Sequence, residues 1–408
     1  MKKKQNVPVL RFQGFSGEWA VYRLGDLGNL RNGMNFAKEA MGKGYPFVNL
    51  QNIFGKNIIE EENLGKAMAS ASQLSDYDLK AGDVLFVRSS VKLEGVGESA
   101  VVCKDLHNTT YSGFIIRFRD EVGIDNNFKR FIFSTKNVRK QIISQATNSA
   151  NKNISQPALS LLNLSLPDKK EQKSVGAFFA NLDGMIASSQ DKIQKLQQFR
   201  QAMLAKLFPR EGAEEPELRF RGFSGKWKCK ILRELADFYS GGTPTVGIKE
   251  YYSGNIPFIR SAEIHSAKTA LYISDEGLNC SSARMVKKGD ILYALYGATS
   301  GEVGRAKLTG AINQAILAIL PNKNCDADFL TQWLHKSKIN ILSTYLQGGQ
   351  GNLSGEIIKN LRILLPTLEE QRKIGNFFRR LDDLISVQQK KLERMQRLKS
   401  ALLEKMFV

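Results

Sequence analysis

Cysteine and histidine are scarce in this 408-residue sequence, which has four Cys, at 103, 229, 280 and 325, and three His, at 107, 265 and 335. No two cysteines stand at Cys-x-x-Cys spacing and no His-x-x-x-His occurs, so a zinc ribbon, a dithiol redox site and a helical zinc-protease motif are excluded. So cysteine-poor a chain is no secreted disulfide scaffold, and the expected compartment is the reducing cytoplasm. Apolar runs of membrane-spanning length are missing, and Gln5-Asn6-Val7-Pro8 follows the basic start where a signal peptide needs its apolar stretch; neither export nor a membrane span is expected. No Gly-x-x-x-x-Gly-Lys-Ser/Thr loop offers a nucleotide cradle. Acidic residues are also in deficit. Against 59 Lys and Arg stand 40 Asp and Glu, a net charge of +19, and a polyanion is the expected partner. Only Lys2, Lys3 and Lys4 form a terminal basic run, so folded surfaces must carry the rest.

What is present is ordinary globular material, 42% hydrophobic and 24% charged, in a chain past the ~250 to 300 residues at which one core stops growing. Repetition sets its organisation. Residues 10–19 read LRFQGFSGEW and residues 218–227 read LRFRGFSGKW, eight identities in ten at an offset of 208. Residues 166–208 match residues 365–407 at 17 of 43 positions, now at an offset of 199. The chain is therefore two tandem copies, each a variable block followed by a shared block.

The shared block has helical periodicity. Phe178, Phe179, Leu182, Ile186, Ile193 and Leu196 recur at threes and fours, answered by Phe377, Phe378, Leu381, Ile385, Leu392 and Met395. Each helix opens after Pro167 or Pro366, and Asp168 three before Glu171, like Thr367 three before Glu370, has capping-box spacing. From Glu171 to Leu207 such a helix spans about 55 Å, too long to lie on one small domain, so it projects and needs a partner. The other copy supplies one, as an intramolecular coiled coil with polar Ser189 and Gln388 interrupting the two seams.

The variable blocks read as strands with interspersed helices: AGDVLFVRSSV (81–91), SAVVC (99–103), SGFIIRFR (112–119), GDILYALYG (289–297) and AILAILP (315–321) are short, β-branched or aromatic, and bounded by Gly, Asp and Pro. Helices are expected near 127–145 and 326–346. Pro46-Phe47-Val48 answers Pro257-Phe258-Ile259, and Asn153-Ile154-Ser155 answers Asn352-Leu353-Ser354. The fold class is α+β, with two tandem α/β domains (1–167 and 211–366), each followed by a long helix (168–210 and 367–408).

No catalytic constellation emerges. Asn255-Ile256-Pro257-Phe258 resembles the Asn-Pro-Pro-Phe loop of amino-methyltransferases, but Ile256 breaks it and no glycine-rich turn precedes it. Asp168 with Glu171 and Lys173 mimics a nuclease metal site, yet helix capping accounts for the acids and the second copy has Thr367. Gly-rich and polar stretches do suit DNA: Arg88-Ser89-Ser90-Val91-Lys92, Asn148 to Asn153, Tyr296 to Gly301 and Gln347 to Asn352. Arg and Lys read guanine, Asn and Gln read adenine, and hydroxyls hold phosphates.

The order of blocks, with LRFxGFSGxW opening each half, Glu171-Gln172 before Phe178-Phe179-x-x-Leu182-Asp183 and the same pattern from Glu370, closely resembles the specificity (S) subunit of Type I restriction-modification enzymes. Gly241-Gly242-Thr243-Pro244 and Tyr296-Gly297-Ala298-Thr299 are family-like, while Arg31-Asn32-Gly33-Met34 and Val87-Arg88-Ser89-Ser90 depart from the pattern. The resemblance implies a non-catalytic reader of a split, asymmetric double-stranded DNA target, with an antiparallel helical spacer setting the gap. It implies docking of two modification subunits, with S-adenosylmethionine and the adenine-N6 methyltransferase site, and of two restriction subunits using ATP and Mg, with no cofactor or metal in this chain. The DNA-contacting residues expected are Arg88, Ser89, Lys92, Asn151, Lys152 and Asn153 in the first domain, and Thr243, Arg260, Tyr296, Thr299, Arg305, Gln350 and Asn352 in the second. Two other readings are a self-contained DNA adenine methyltransferase, which would need a cofactor domain, and a coiled-coil DNA adaptor without sequence preference, which leaves two divergent blocks unexplained.

Overall fold

The computed structural model describes residues 6–147, 150–346 and 352–408. It divides into two compact units, Met1–Gln190 with Lys390–Val408, and Asp191–Gln389. The units are not the sequence halves, because each long helix gives one part to each.

In the first unit the strands Gly28–Asn32, Ile115–Asp120, Val84–Val87, Ser99–Val102 and Ile58–Ile59 form one sheet in that spatial order. All neighbours are antiparallel except the last pair. Val84 to Val87 are buried on both faces, hence the unbroken apolar run in place of an alternation. Phe86, Ile116 and Phe118 face one core with Phe128, Phe131 and Phe179. Leu85, Val87 and Ile115 face another with Val48 and Tyr111, from a second sheet of Gly65–Ala67, Met41–Val48 and Thr110–Tyr111. The helix expected over 127–145 is two helices, Asn126–Ile132 and Lys136–Gln145. Ser134 and Thr135 cause the break, their hydroxyls donating back to the carbonyls of Phe131 and Ile132 at 2.7 Å each, the competition by which Ser and Thr interrupt helices.

The second unit repeats the plan. Ala236–Ser240, Ile316–Pro321, Ile291–Ala294 and Val303–Arg305 form an antiparallel sheet, covered by the helix Ala327–Tyr345, whose N-terminus is capped by Asp326 accepting from the Phe329 amide at 2.9 Å. Its second sheet runs Tyr272–Ile273, Ile256–Ile259, Gly310–Ile312, Arg284–Val286. Gly33 and Gly241 occupy one structural position. A Cβ there would fall 2.2 Å from the Ser112 carbonyl oxygen or 1.8 Å from that of Ile312, so only glycine lets the chain leave the sheet at this point.

The long helices are Lys169–Lys206 and Leu368–Met406. Asp168 caps the first, accepting from the amides of Lys170 at 2.8 Å and Glu171 at 3.0 Å. The reciprocal half of the expected capping box does not form. Glu171, 1% exposed, instead takes Nε and Nη2 of Arg11 at 2.7 and 2.6 Å, and Glu370 takes Arg219 at 2.8 Å twice. A bidentate guanidinium outcompetes a single backbone N–H. The neighbouring glutamines act as staples. Gln172 donates to the Pro167 carbonyl and accepts the Asp125 amide, while Gln371 does the same with Pro366 and Asp326.

Inside each unit the helix segments run antiparallel. Asp183 meets Lys399 at 2.5 Å in the first unit and Asp382 meets Arg200 at 2.5 Å in the second, the same contact in both copies because 183 and 382, like 200 and 399, differ by 199. Leu182, Ile193, Leu381 and Ile385 are buried, with Ile186, Leu196, Leu392 and Met395 half-buried. Ser189 is buried as well, and its hydroxyl has no hydrogen-bond partner among the described residues. The helix starts do not project from their domains. Phe179 packs on Phe131 at 5.4 Å between ring centroids and Phe178 on Phe12 at 5.6 Å; Phe377 packs on Phe220 at 5.9 Å, and Phe378 joins the core of Phe208 and Phe329. The aromatic pairs read as spacer residues thus belong to domain cores.

Candidate nucleic-acid interface

The central strands of each first sheet end in a cluster of loops tied by backbone hydrogen bonds. In the first unit the Arg88 amide donates to the Phe114 carbonyl at 2.8 Å, and the Arg88 carbonyl accepts from Ile154 at 2.9 Å. Ser89 and Ser90 pair with Asn153 and Lys152 as a short antiparallel ribbon. The Gly113 amide donates to Met34 at 2.6 Å, and that of Met34 to Tyr111 at 2.9 Å. In the second unit Leu295 donates to Ala315 at 2.8 Å, Leu353 to Leu295 at 2.9 Å, and Tyr296 bridges Asn352. Arg88 and Leu295, Ser89 and Tyr296, and Phe114 and Ala315 are therefore equivalent positions on one frame.

Of the residues expected to meet DNA, Ser89, Lys92 and Asn151 line one cavity of about 500 Å³, with Val91 and Phe114. Lys152 and Asn153 stand on the ribbon beside it, and Arg88 directs Nη1 to the Gly113 carbonyl at 3.4 Å. Thr243 and Arg260 line a cavity of about 510 Å³ in the second unit, with Lys249, Tyr252 and Asn313. Tyr296 precedes and Thr299 closes the turn Gly297–Thr299, in which the Thr299 hydroxyl donates to the Tyr296 carbonyl at 3.2 Å. Arg305 is not brought to this cluster. It lies at the other end of its strand, opposite Ile291, and pairs with Asp328 at 2.6 Å. Gln350 and Asn148 lie outside the described residues.

Arg260 is held by Glu263 at 3.0 Å. Burial raises the Glu263 pKa, but the Arg260 side chain, the amides of Ala270 and Arg260 and the Thr269 hydroxyl overcome it, leaving the carboxyl at about 2. A guanidinium so oriented keeps part of its donor fork for a further acceptor.

Sequence reasoning missed Asn35, Asn49, Gln51 and Phe114, which line a further cavity of about 480 Å³ in the first unit, and Asn313 and Gln314 in the second, where the Thr243 hydroxyl donates to Gln314 Oε1 at 2.5 Å. Usable signals were the polar Asn313-Gln314 inside the apolar run AINQAILAIL and the glycine before Phe114. The lures resolve as structure. Phe258 is a buried strand residue at 2% exposure, and His265 stands 3.5 Å from Glu302. Among the described residues no group of three His, Cys, Asp or Glu side chains could hold a metal ion, and no helix is long and apolar enough to cross a membrane.

Residues 16–198 and 224–397 match the family described as Type I restriction modification DNA specificity domain. The chain is 24% identical to the "Putative type I restriction enzyme MjaX specificity subunit" of Methanocaldococcus jannaschii over 98% of its own length and 95% of that protein. It is 22% identical to the HindI specificity subunit of Haemophilus influenzae, over 88% and 93%. The solved S subunit of a Type-I restriction-modification system from M. genitalium shares the fold at a TM-score of 0.67 and 16% identity, covering 98% of this chain and 99% of that one.

Proposed function

The chain belongs to the Type I restriction-modification DNA specificity family, and from that premise we propose that it reads a bipartite, asymmetric DNA target, one half with each unit. The observation that carries this reading is one loop frame presenting different chemistry: Ser89 against Tyr296 and Phe114 against Ala315 at equivalent places. A repeated scaffold with diverged reading side chains addresses two unlike half-sequences. The long helices set the gap between the halves. Catalysis belongs to partners: two modification subunits bring S-adenosylmethionine and adenine-N6 methylation, and two restriction subunits bring ATP-driven, Mg-dependent cleavage, all in the cytoplasm. This chain supplies no cofactor site and acts as a non-catalytic subunit.

The test is to express the chain with its modification subunits and map methylated adenines across the host DNA. A gapped two-part target is expected, and replacing residues 20–166 by another family member's block should change one half alone. Methyl transfer by the purified chain by itself, or a change in both halves on swapping one block, would refute the reading.

A further inference from the structure

Inside the loop cluster of the first unit lies an apolar surface that the expected polar contacts leave unused. Phe114 is 59% exposed, Val91 79% and Phe54 38%, and all three line the cavity that also holds Ser89, Ser90 and Lys92. Phe114 is held outward by its backbone. Its amide donates to the Ser112 hydroxyl at 3.2 Å and its carbonyl accepts from Arg88 at 2.8 Å, and a Cβ on the preceding Gly113 would fall 2.1 Å from Asn35 Oδ1. The backbone that presents the ring is thus fixed, which leaves only the side chain for binding to order. The equivalent Ala315 is 8% exposed, so at this position the second unit presents no such ring.

Resting on the reading just given, we propose that Phe114 and Val91 form an apolar reader for the C5-methyl group of a thymine in the half-target addressed by the first unit. Among the groups that base edges present in the major groove, that methyl is the apolar one, and Phe is among the side chains that contact it. The remaining lining fits a base edge better than a phosphate. Ser89 and Ser90 supply hydroxyls and Lys92 a cation, while Glu94 and Glu98 also border the cavity, where their carboxylates would repel a phosphate. Glu98 is itself engaged by the Gly55 amide at 3.0 Å.

The test uses the full chain assembled with modification subunits and duplexes carrying the mapped target, with each thymine of the first half replaced in turn by deoxyuridine, which lacks only the methyl group. One position should bind about fourfold more weakly, the equivalent of ~0.8 kcal/mol for one buried methylene-sized group. The Phe114→Ala complex should bind thymine and deoxyuridine alike at that position and still discriminate the second half-target, which reports a folded protein; Phe114→Leu should keep part of the difference. The proposal is overturned if no first-half position responds to loss of the methyl, or if Phe114→Ala responds as the wild type does. Should the complex prefer no duplex at all, the functional reading has failed along with it, an outcome distinct from a specific complex indifferent to the methyl.

Discussion

Removing the Arg219 guanidinium while leaving Glu370 in place probes the join between repeated motif and helix start. Glu370 is 1% exposed, and its oxygens each receive a guanidinium hydrogen bond at 2.8 Å; hydrogen bonding to this carboxylate is the chief reason the Arg219 pKa lies above its ordinary value. Breaking a buried pair by deleting one partner costs about 3 to 5 kcal/mol, because a charge stays behind without compensation. Arg219 is 16% exposed, so water reaches the orphaned carboxylate and the lower end, about 3 kcal/mol, applies to Arg219→Met. Replacing both residues by methionine removes the stranded charge and should cost about 1 kcal/mol or less. Hydrogen exchange is the assay. A loss of about 3 kcal/mol corresponds to about a hundredfold faster exchange for amides of 219–227 and 368–374, with 11–19 and 169–175 as internal controls that keep their own pair. Less than tenfold acceleration in the single variant, or equal acceleration in single and double, would show that the pair does not hold motif to helix.

Three further outcomes are expected. Cys325 is buried and its thiol is pushed up to about 12 by desolvation, so iodoacetamide at neutral pH should label the exposed Cys103, Cys229 and Cys280 and spare Cys325 until the protein is denatured, as mass spectrometry would read directly. His335 is held at about 4 by burial first and Arg200 second; the unfolded chain takes a proton near pH 6.5 that the folded one refuses, so stability is full above pH 6.5 and falls by up to about 3 kcal/mol toward pH 4, a slope that denaturant titrations should find absent in His335→Gln. Inserting four residues after Gln190 lengthens that helix by about 6 Å, which should lengthen the methylated target's gap by one or two base pairs with both half-sequences unchanged; an unchanged gap in an active complex would show that helix length does not set it.

The repeat, the two long helices and the α+β character were legible because they rest on periodicity and self-similarity, which need no tertiary knowledge. Residues 327–345 could be placed from Asp326 and an apolar stripe, whereas the break at Ser134 and Thr135 depends on which hydroxyl finds which carbonyl. Glu171 misled in a definite way. Its spacing from Asp168 fits a capping box, but Arg11, 160 residues earlier, claims the carboxylate, and no local pattern announces so distant a partner. The reading surface was half visible. Polar loops advertise themselves, while Phe114 sits in a strand-like run of the sequence and is nonetheless 59% exposed, beside a Gly113 that leaves no room for a Cβ against Asn35. Arg305 shows the converse, a cation suited to DNA by type alone that the sheet carries to Asp328.

The opening motif of each copy fastens to a helix end as well as a helix start. The Leu10 amide donates to the Lys405 carbonyl at 2.8 Å, and the Leu218 amide to that of Lys206 at 2.9 Å. In the first unit the partners lie at opposite extremes of the sequence; in the second a short connection joins them. The covalent link between 206 and 218 therefore accompanies one motif-to-helix bond, while the other forms between residues distant in sequence. A circular permutant opened within 211–214, with its former ends joined by a flexible linker, should keep both motif-to-helix bonds and reach the same fold.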